Sequence, residues 1–295
     1  MRAEQSGVPT IENGAPLSAA NAAPLPTLVI EPARGRFSLQ LDRLWAYREL
    51  LYFLVWRDVK VRYKQTALGV AWIVLQPLLT TLIFTVLFGM LLEVPSGDVP
   101  YPVFALTGLV PWQYFAGALT RTSASLVGNA HLITKVYFPR LIIPLTGVLS
   151  GLVDFAIGFV LLAVMLIIYR IQPTPAVLLL PAFLLLAMAT ALGFGLWLAA
   201  LNVRYRDIGY LVPFFIQIWL YATPVAYGST LIPEQYRWLL GLNPMTGVVE
   251  GFRWALLGQA PPGRLFALSV AITTVVLLTG LVYFRRTERT FADVV

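Results

Sequence analysis

The chain has 295 residues, 58% hydrophobic and only 12% charged, with a formal net charge of +7 and a mean hydropathy of +0.77. Soluble domains carry about 25% charged residues, so a shortfall of this size excludes an ordinary soluble protein and points to an integral membrane chain. With no cysteine and a single histidine, disulfides, thiolate chemistry and imidazole-rich metal centres are excluded.

Residues 1–40 are rich in Ala, Pro, Asn and Gly without periodicity. They predict a disordered tail, and they lack the compact apolar run of a cleavable signal peptide. Residues 41–66 predict an amphipathic helix lying in the membrane surface. Val55, Trp56, Val59 and Tyr63 fall on one side, and Arg57, Lys60 and Lys64 on the other. The first half, with Trp45, Tyr47, Tyr52 and Phe53, is apolar nearly all round, which predicts partial burial against protein.

Residues 67–285 divide into six predicted spans, about 68–92, 101–127, 141–169, 176–201, 210–227 and 265–284. The first has no charge between Ala67 and Leu92, which exceeds the ~20 apolar residues needed to cross ~30 Å of hydrocarbon. Gly69, Trp72, Gln76 and Thr80 share one of its faces. The second span is interrupted by Gly108 and Pro111 and turns polar near Arg121. In the third, Asp154 lies in a narrow sector with Gly147, Gly151 and Gly158. Small residues mark close helix contact in membranes, so this face is predicted to point into protein.

The fifth span places Tyr210, Pro213, Gln217, Tyr221 and Pro224 on one face. Two short helices follow it. Pro233 suits the first turn of one that stops at Gly241; Asn243 and Pro244 suit the N-cap and first position of another that stops at Gly258. Neither is long enough to cross a bilayer, and both need their backbone covered by protein if they enter it. The sixth span ends at Arg285-Arg286, and 286–295 form a polar tail.

Six spans put both termini on one side. Seventeen of the 21 Lys and Arg residues fall on that side, leaving only Arg170, Arg237, Arg253 and Arg264 opposite. This is the positive-inside pattern of a multi-pass protein with cytoplasmic termini. It also explains the positive charge as topology and not as a nucleic-acid surface.

The chain has no phosphate-cradling loop, no ribose-binding acid after a glycine-rich turn and no plausible nucleophilic triad. Transport is left as the leading class, driven by an ion gradient or by another polypeptide. Two roles are open to Asp154: carrying protons in a gradient-driven carrier, or hydrogen-bonding a neighbouring helix. A membrane enzyme for lipid-linked sugars is disfavoured because acidic or His-rich loops are missing.

Several words recur in order along 41–295: Arg57-Asp58-Val59-Lys60-Val61-Arg62-Tyr63-Lys64, Gln76-Pro77, Gly108-Leu109-Val110-Pro111-Trp112, and Lys135-Val136-Tyr137-Phe138-Pro139-Arg140. Val203-Arg204-Tyr205-Arg206-Asp207, Asn243-Pro244, and Phe284-Arg285-Arg286 with Glu288 and Phe291 complete the set. Together they resemble the membrane subunits of type-two ABC exporters, most closely those that export O-antigen, capsule or teichoic acid chains.

The resemblance implies an all-α protein of six transmembrane helices, with an N-terminal interfacial helix and two outer gate-like helices. It implies a homodimer in a bacterial inner membrane, two separate ATPase subunits that hold ATP and Mg, and a lipid-linked polysaccharide as cargo. No cofactor is then bound by this chain. Exporters of drugs or small lipids share the fold and stay open as an alternative, as does a proton-coupled carrier using Asp154. By the same resemblance, Lys135, Phe138, Pro139 and Arg140 belong to a loop that docks on the ATPase, near Arg57, Lys60 and Lys64. Asn243, Pro244, Glu250 and Arg253 fall on the outer gate helices, although Glu250 and Arg253 at i,i+3 also suit a simple helical ion pair. For the conduit, aromatic and amide side chains suit a sliding sugar polymer, which makes Trp72, Gln76, Thr80, Tyr210, Gln217 and Tyr221 the candidates, with ordinary packing or an interface belt as the open alternative for each.

Overall fold

The computed structural model describes residues 41–64, 69–288 and 291. The predicted N-terminal tail and most of the residues after Glu288 lie outside the described residues. Among those described there is no β-strand. The elements are α1 (Leu41–Ala46), α2 (Arg48–Lys64), α3 (Gly69–Phe84), α4 (Tyr101–Gly128), α5 (Ala130–Lys135), α6 (Ile142–Leu149) and α7 (Gly151–Ile168). There follow α8 (Leu180–Arg204), α9 (Ile208–Ala222), α10 (Arg237–Gly241), α11 (Pro244–Leu257) and α12 (Gly263–Thr287). Four stretches are long and apolar enough to cross a membrane: Ala71–Leu91, Ile142–Ile168, Pro175–Arg204 and Gly263–Thr287.

α4 falls outside that group of four, although it is 28 residues long. Its polar residues, Gln113, Thr120, Arg121, Thr122, Ser123 and Ser125, lower its hydropathy. Its position explains why they are tolerated. α3, α6, α7, α8, α9 and α11 all pack on α4, and most of its side chains are buried. A helix whose neighbours are protein and not lipid has no need of a uniformly apolar surface.

The glycine face of the third predicted span faces α4. A Cβ on Gly147 would lie 2.9 Å from the Thr122 backbone nitrogen, and one on Gly151 would strike the Arg121 guanidinium. Glycine is what lets the backbones approach this closely. The span is divided into α6 and α7 at Ser150.

The predicted fifth span, 210–227, ends as a helix at Ala222. Pro224 has no N–H and pushes Thr223 out of the helical region, to φ −95°, ψ 137°. At 15 residues, α9 is about 22 Å long, shorter than the hydrocarbon layer. The chain after it is irregular, and its carbonyls need donors. Arg253 of α11 supplies them: one nitrogen donates to Pro224 O (2.7 Å) and Tyr227 O (3.0 Å), another to Val225 O (2.6 Å). Its guanidinium lies 3.6 Å from the centre of the Phe104 ring, and the side chain is 1% exposed. Tyr101 donates to Ala226 O at 2.6 Å, so consecutive carbonyls are covered from α4 and α11. Arg253 therefore turns towards backbone, and the i,i+3 ion pair with Glu250 open in the sequence is not among the ion pairs of the described residues.

α11 itself begins and ends as its sequence predicts. The Asn243 side chain accepts from Met245 N at 3.0 Å with Pro244 in the first turn, and Gly258 closes the helix at φ +71°. That left-handed conformation is where glycine avoids the Cβ penalty. Asn243 also accepts from Trp219 Nε1 (2.9 Å) and donates to Thr223 Oγ1 (2.8 Å), joining the end of α9 to the start of α11.

Replacing Arg253 with Met should leave two buried carbonyls and one half-buried carbonyl without donors. A loss of about 3 kcal/mol or more is expected, roughly 6 °C or more in the apparent Tm of the detergent-purified chain. Arg253→Lys should recover only part, because one ammonium cannot span the three acceptors. A Tm within 2 °C of wild type for the Met variant (about 1 kcal/mol or less) would contradict the assignment.

Candidate functional site

Two apolar clusters organise the bundle, and the smaller one marks its basic end. There Leu54 of α2, Leu126 of α4, Ile133 of α5, Val203 of α8 and Phe284 of α12 pack together with Phe138 and Phe291. Lys60, Lys64, Lys135, Arg204 and Arg206 are exposed around this end. At the opposite end the Thr174 amide donates to Ala255 O (3.0 Å), and Tyr101 meets the segment after α9.

α2 is not simply laid on a surface. Its inward stripe, following Tyr47 just before the helix, contains Leu51 and Leu54 and then charged residues. Arg57 donates to Asp58 (2.8 Å) and to Asn129 Oδ1 (2.8 Å), at the C-terminal cap of α4. One turn further, Arg62 donates to Asp154 Oδ2 at 2.5 Å and the Tyr63 hydroxyl donates to Asp154 Oδ1 at 2.7 Å. Arg121 of α4 reaches the same carboxylate oxygen at 3.2 Å and donates through Nε to Gly147 O at 3.0 Å. Asp154 is thus bound by α2 and α4 together. Burial, with the Asp154 carboxylate as hydrogen-bond acceptor, pushes the Tyr63 hydroxyl to a higher pKa, so it stays a donor.

A cavity of ≈ 460 Å³ opens between α2, α4 and α6, lined by Arg57, Asp58, Arg62, Arg121, Ser125 and Asn129 among others. The predicted basic face of α2 is therefore divided. Lys60 and Lys64 are exposed, whereas Arg57 is half-buried in the contact with α4. Trp56, placed on the apolar side by its spacing, is 53% exposed.

The 130–140 segment divides in the same way. Lys135 is exposed and Tyr137 is 71% exposed beside exposed Val136. Phe138 is buried in the basic-end cluster, Pro139 is half-buried, and Arg140 is bonded to Glu288. The exposed side chains of the segment are thus His131, Thr134, Lys135, Val136 and Tyr137, of which the last three are consecutive. Sequence alone does not single out the last two, because an aromatic beside a β-branched residue carries no periodic signal in so short a loop.

Trp72, Gln76, Tyr210, Gln217 and Tyr221 are all exposed, Tyr210 at 84% and Tyr221 at 58%. Thr80 is half-buried and donates to Gln76 O at 2.9 Å. α3 and α9 both rest on α4, and these side chains are not part of the packing within the chain. At the other end Asn243, Pro244 and Arg253 are structural in the sense already described. Glu250 is half-buried on α11.

Residues 49–257 match the model of the family described as ABC-2 type transporter. The chain belongs to the ABC-2 type transporter family. The matched region runs from the start of α2 to the end of α11, so the Asp154 network and the Arg253 turn both lie within it. The chain is 33% identical to the O-antigen export system permease protein RfbA of Myxococcus xanthus over 239 residues, 80% of this chain and 90% of that protein. It is 30% identical to the RfbA protein of Klebsiella pneumoniae over 247 residues, 83% and 95% of the two chains. To the polysialic acid transport protein KpsM of Escherichia coli it is 24% identical over 234 residues, 79% and 91% of the two. With four membrane-length apolar helices, this ABC-2 chain is a multi-pass membrane protein.

Asp154→Asn should weaken the attachment of α2 to α4 and α7. A loss of about 2 kcal/mol is expected, which corresponds to roughly 30-fold faster amide exchange. Hydrogen-exchange mass spectrometry resolves the effect over residues 57–64. Unchanged exchange there would show that the apolar cluster alone holds α2.

Proposed function

We propose that this chain is the membrane subunit of an ATP-driven exporter that moves lipid-linked polysaccharide of the O-antigen kind out across the bacterial inner membrane. The observation that carries this reading is the set of polysaccharide-export relatives aligned over about four-fifths of the chain. Two copies would form the path, and two separate ATPase subunits would bind ATP and Mg. Six passes with both termini cytoplasmic are proposed. α4 and α9 join the four apolar stretches, and the irregular turn after α9 completes its crossing under cover of Arg253.

The structure supports this reading in two places. Trp72, Gln76, Tyr210, Gln217 and Tyr221 are exposed on two helices that rest on the same central helix. Aromatic faces and amides of this kind hold a sugar chain by its C–H patches and hydroxyls without a deep binding minimum. At the basic end, Lys135, Val136 and Tyr137 project from a short loop. A flat aromatic beside a cation is a fitting contact for a soluble partner.

The proton-carrier alternative is disfavoured by the surroundings of Asp154. A carboxylate shared by two guanidiniums serves as their counter-ion, and neutralising it would leave two like charges together. An exporter of drugs or small lipids differs from this proposal only in cargo.

Affinity purification of the chain in mild detergent should recover an ATPase polypeptide in equal amount. Tyr137→Ala combined with Val136→Ser should reduce that recovery roughly tenfold, as expected of a contact worth about 1.4 kcal/mol. Retention of the full amount would remove the loop from the docking surface. Separately, Gln217→Leu with Tyr221→Leu should leave ATPase recovery unchanged but cut surface polysaccharide severalfold. Normal surface polymer in that double variant would remove α9 from the path.

A further inference from the structure

The loop that carries Lys135–Tyr137 has little backbone support of its own. α5 is six residues long and rests chiefly on α4, and 136–141 form no regular element of any length. Its position depends on three side-chain anchors. Ile133 and Phe138 enter the basic-end cluster, at 5% and 7% exposure. The third is Arg140, and its partner lies 148 residues away.

That partner is Glu288, just beyond the end of α12. The Arg140 amide donates to Glu288 Oε1 at 3.3 Å, and the Arg140 guanidinium donates to the Glu288 carbonyl. Three residues on, Phe291 is fully buried in the cluster that contains Phe138. Its ring meets Phe284 edge-on, with centroids 5.2 Å apart. The chain after α12 thus touches the loop twice, once through polar groups and once through the apolar cluster. Neither Glu288 nor Phe291 projects from the docking face.

We propose that Glu288 and Phe291 form a C-terminal clasp that positions the 133–140 loop for its ATPase partner. They are positioning residues. They set the angle at which Lys135, Val136 and Tyr137 are presented, and the clasp carries loop movement into α12 as well as into α4. This inference rests on the ATPase-docking reading proposed above. The physical reason for a clasp is entropic. An irregular loop pinned at both ends loses conformational freedom before the partner arrives and not upon binding, so the complex forms with less ordering cost.

The test uses the full chain co-expressed with its ATPase. Glu288→Ala removes the acceptor for the Arg140 amide, while Glu288→Gln keeps an oxygen there. Phe291→Ala empties the cluster position, while Phe291→Leu refills most of it. ATPase recovered per permease, surface polysaccharide, and the Tm of the permease alone are measured for each. Both Ala variants should lower ATPase recovery and export roughly two- to tenfold, and the Gln and Leu variants should restore most of it. Glu288→Ala should leave the Tm nearly unchanged, so it decides the matter if Phe291→Ala proves too unstable to purify. Wild-type recovery and export in Glu288→Ala would overturn the clasp. Absence of any ATPase with the wild-type chain would instead overturn the docking reading itself.

Discussion

The structure is governed by the requirement that charges and backbone polar groups in an apolar surrounding find their partners inside the protein. Two arginines on or against α4 meet it in opposite ways. Near the basic end, Arg121 shares the Asp154 carboxylate with Arg62, so charge is balanced by charge. Near the other end, Arg253 forms no salt bridge among the described residues and is satisfied by three carbonyls and a ring face. The first arrangement fastens an N-terminal helix to the bundle. The second permits a helix to stop short and the chain to turn.

These two fastenings explain why a central, largely buried helix is also among the less apolar ones. α4 collects the glycine face of α6 and α7 together with α3, α8, α9 and α11. Its polar residues are the attachment points for these neighbours: Tyr114 donates to Val148 O, and Asn202 of α8 donates to Ser123 O. Hydropathy alone undervalues such a helix, because hydropathy measures fitness for lipid and α4 meets mostly protein.

The basic end shows how a transporter chain can join mechanical elements without a large domain. One apolar cluster brings together α2, the loop after α4, α8, α12 and Phe291. Movement imposed on the loop would reach the spans through packed side chains, which repack between discrete arrangements more readily than they stretch. The Asp154 network ties α2 to α4 and α7 as well, so the two contacts act on α2 together.

Much of the fold was legible in the sequence, because spans, turns and caps are local. The apolar lengths marked the membrane helices, Asn243-Pro244 and Gly258 marked the ends of α11, and the Gly147–Gly151–Gly158 spacing marked the face turned to α4. Each of these depends on residues within a few turns of one another, where periodicity and propensity act. Partner choice among charged side chains does not. Arg62 with Asp154, Arg140 with Glu288, and Arg253 with carbonyls and not Glu250 join residues 92, 148 and 26 to 29 positions apart. No local pattern distinguishes those pairings from the alternatives. Only the packing of the helices brings one donor within about 3 Å of one acceptor and turns the others away.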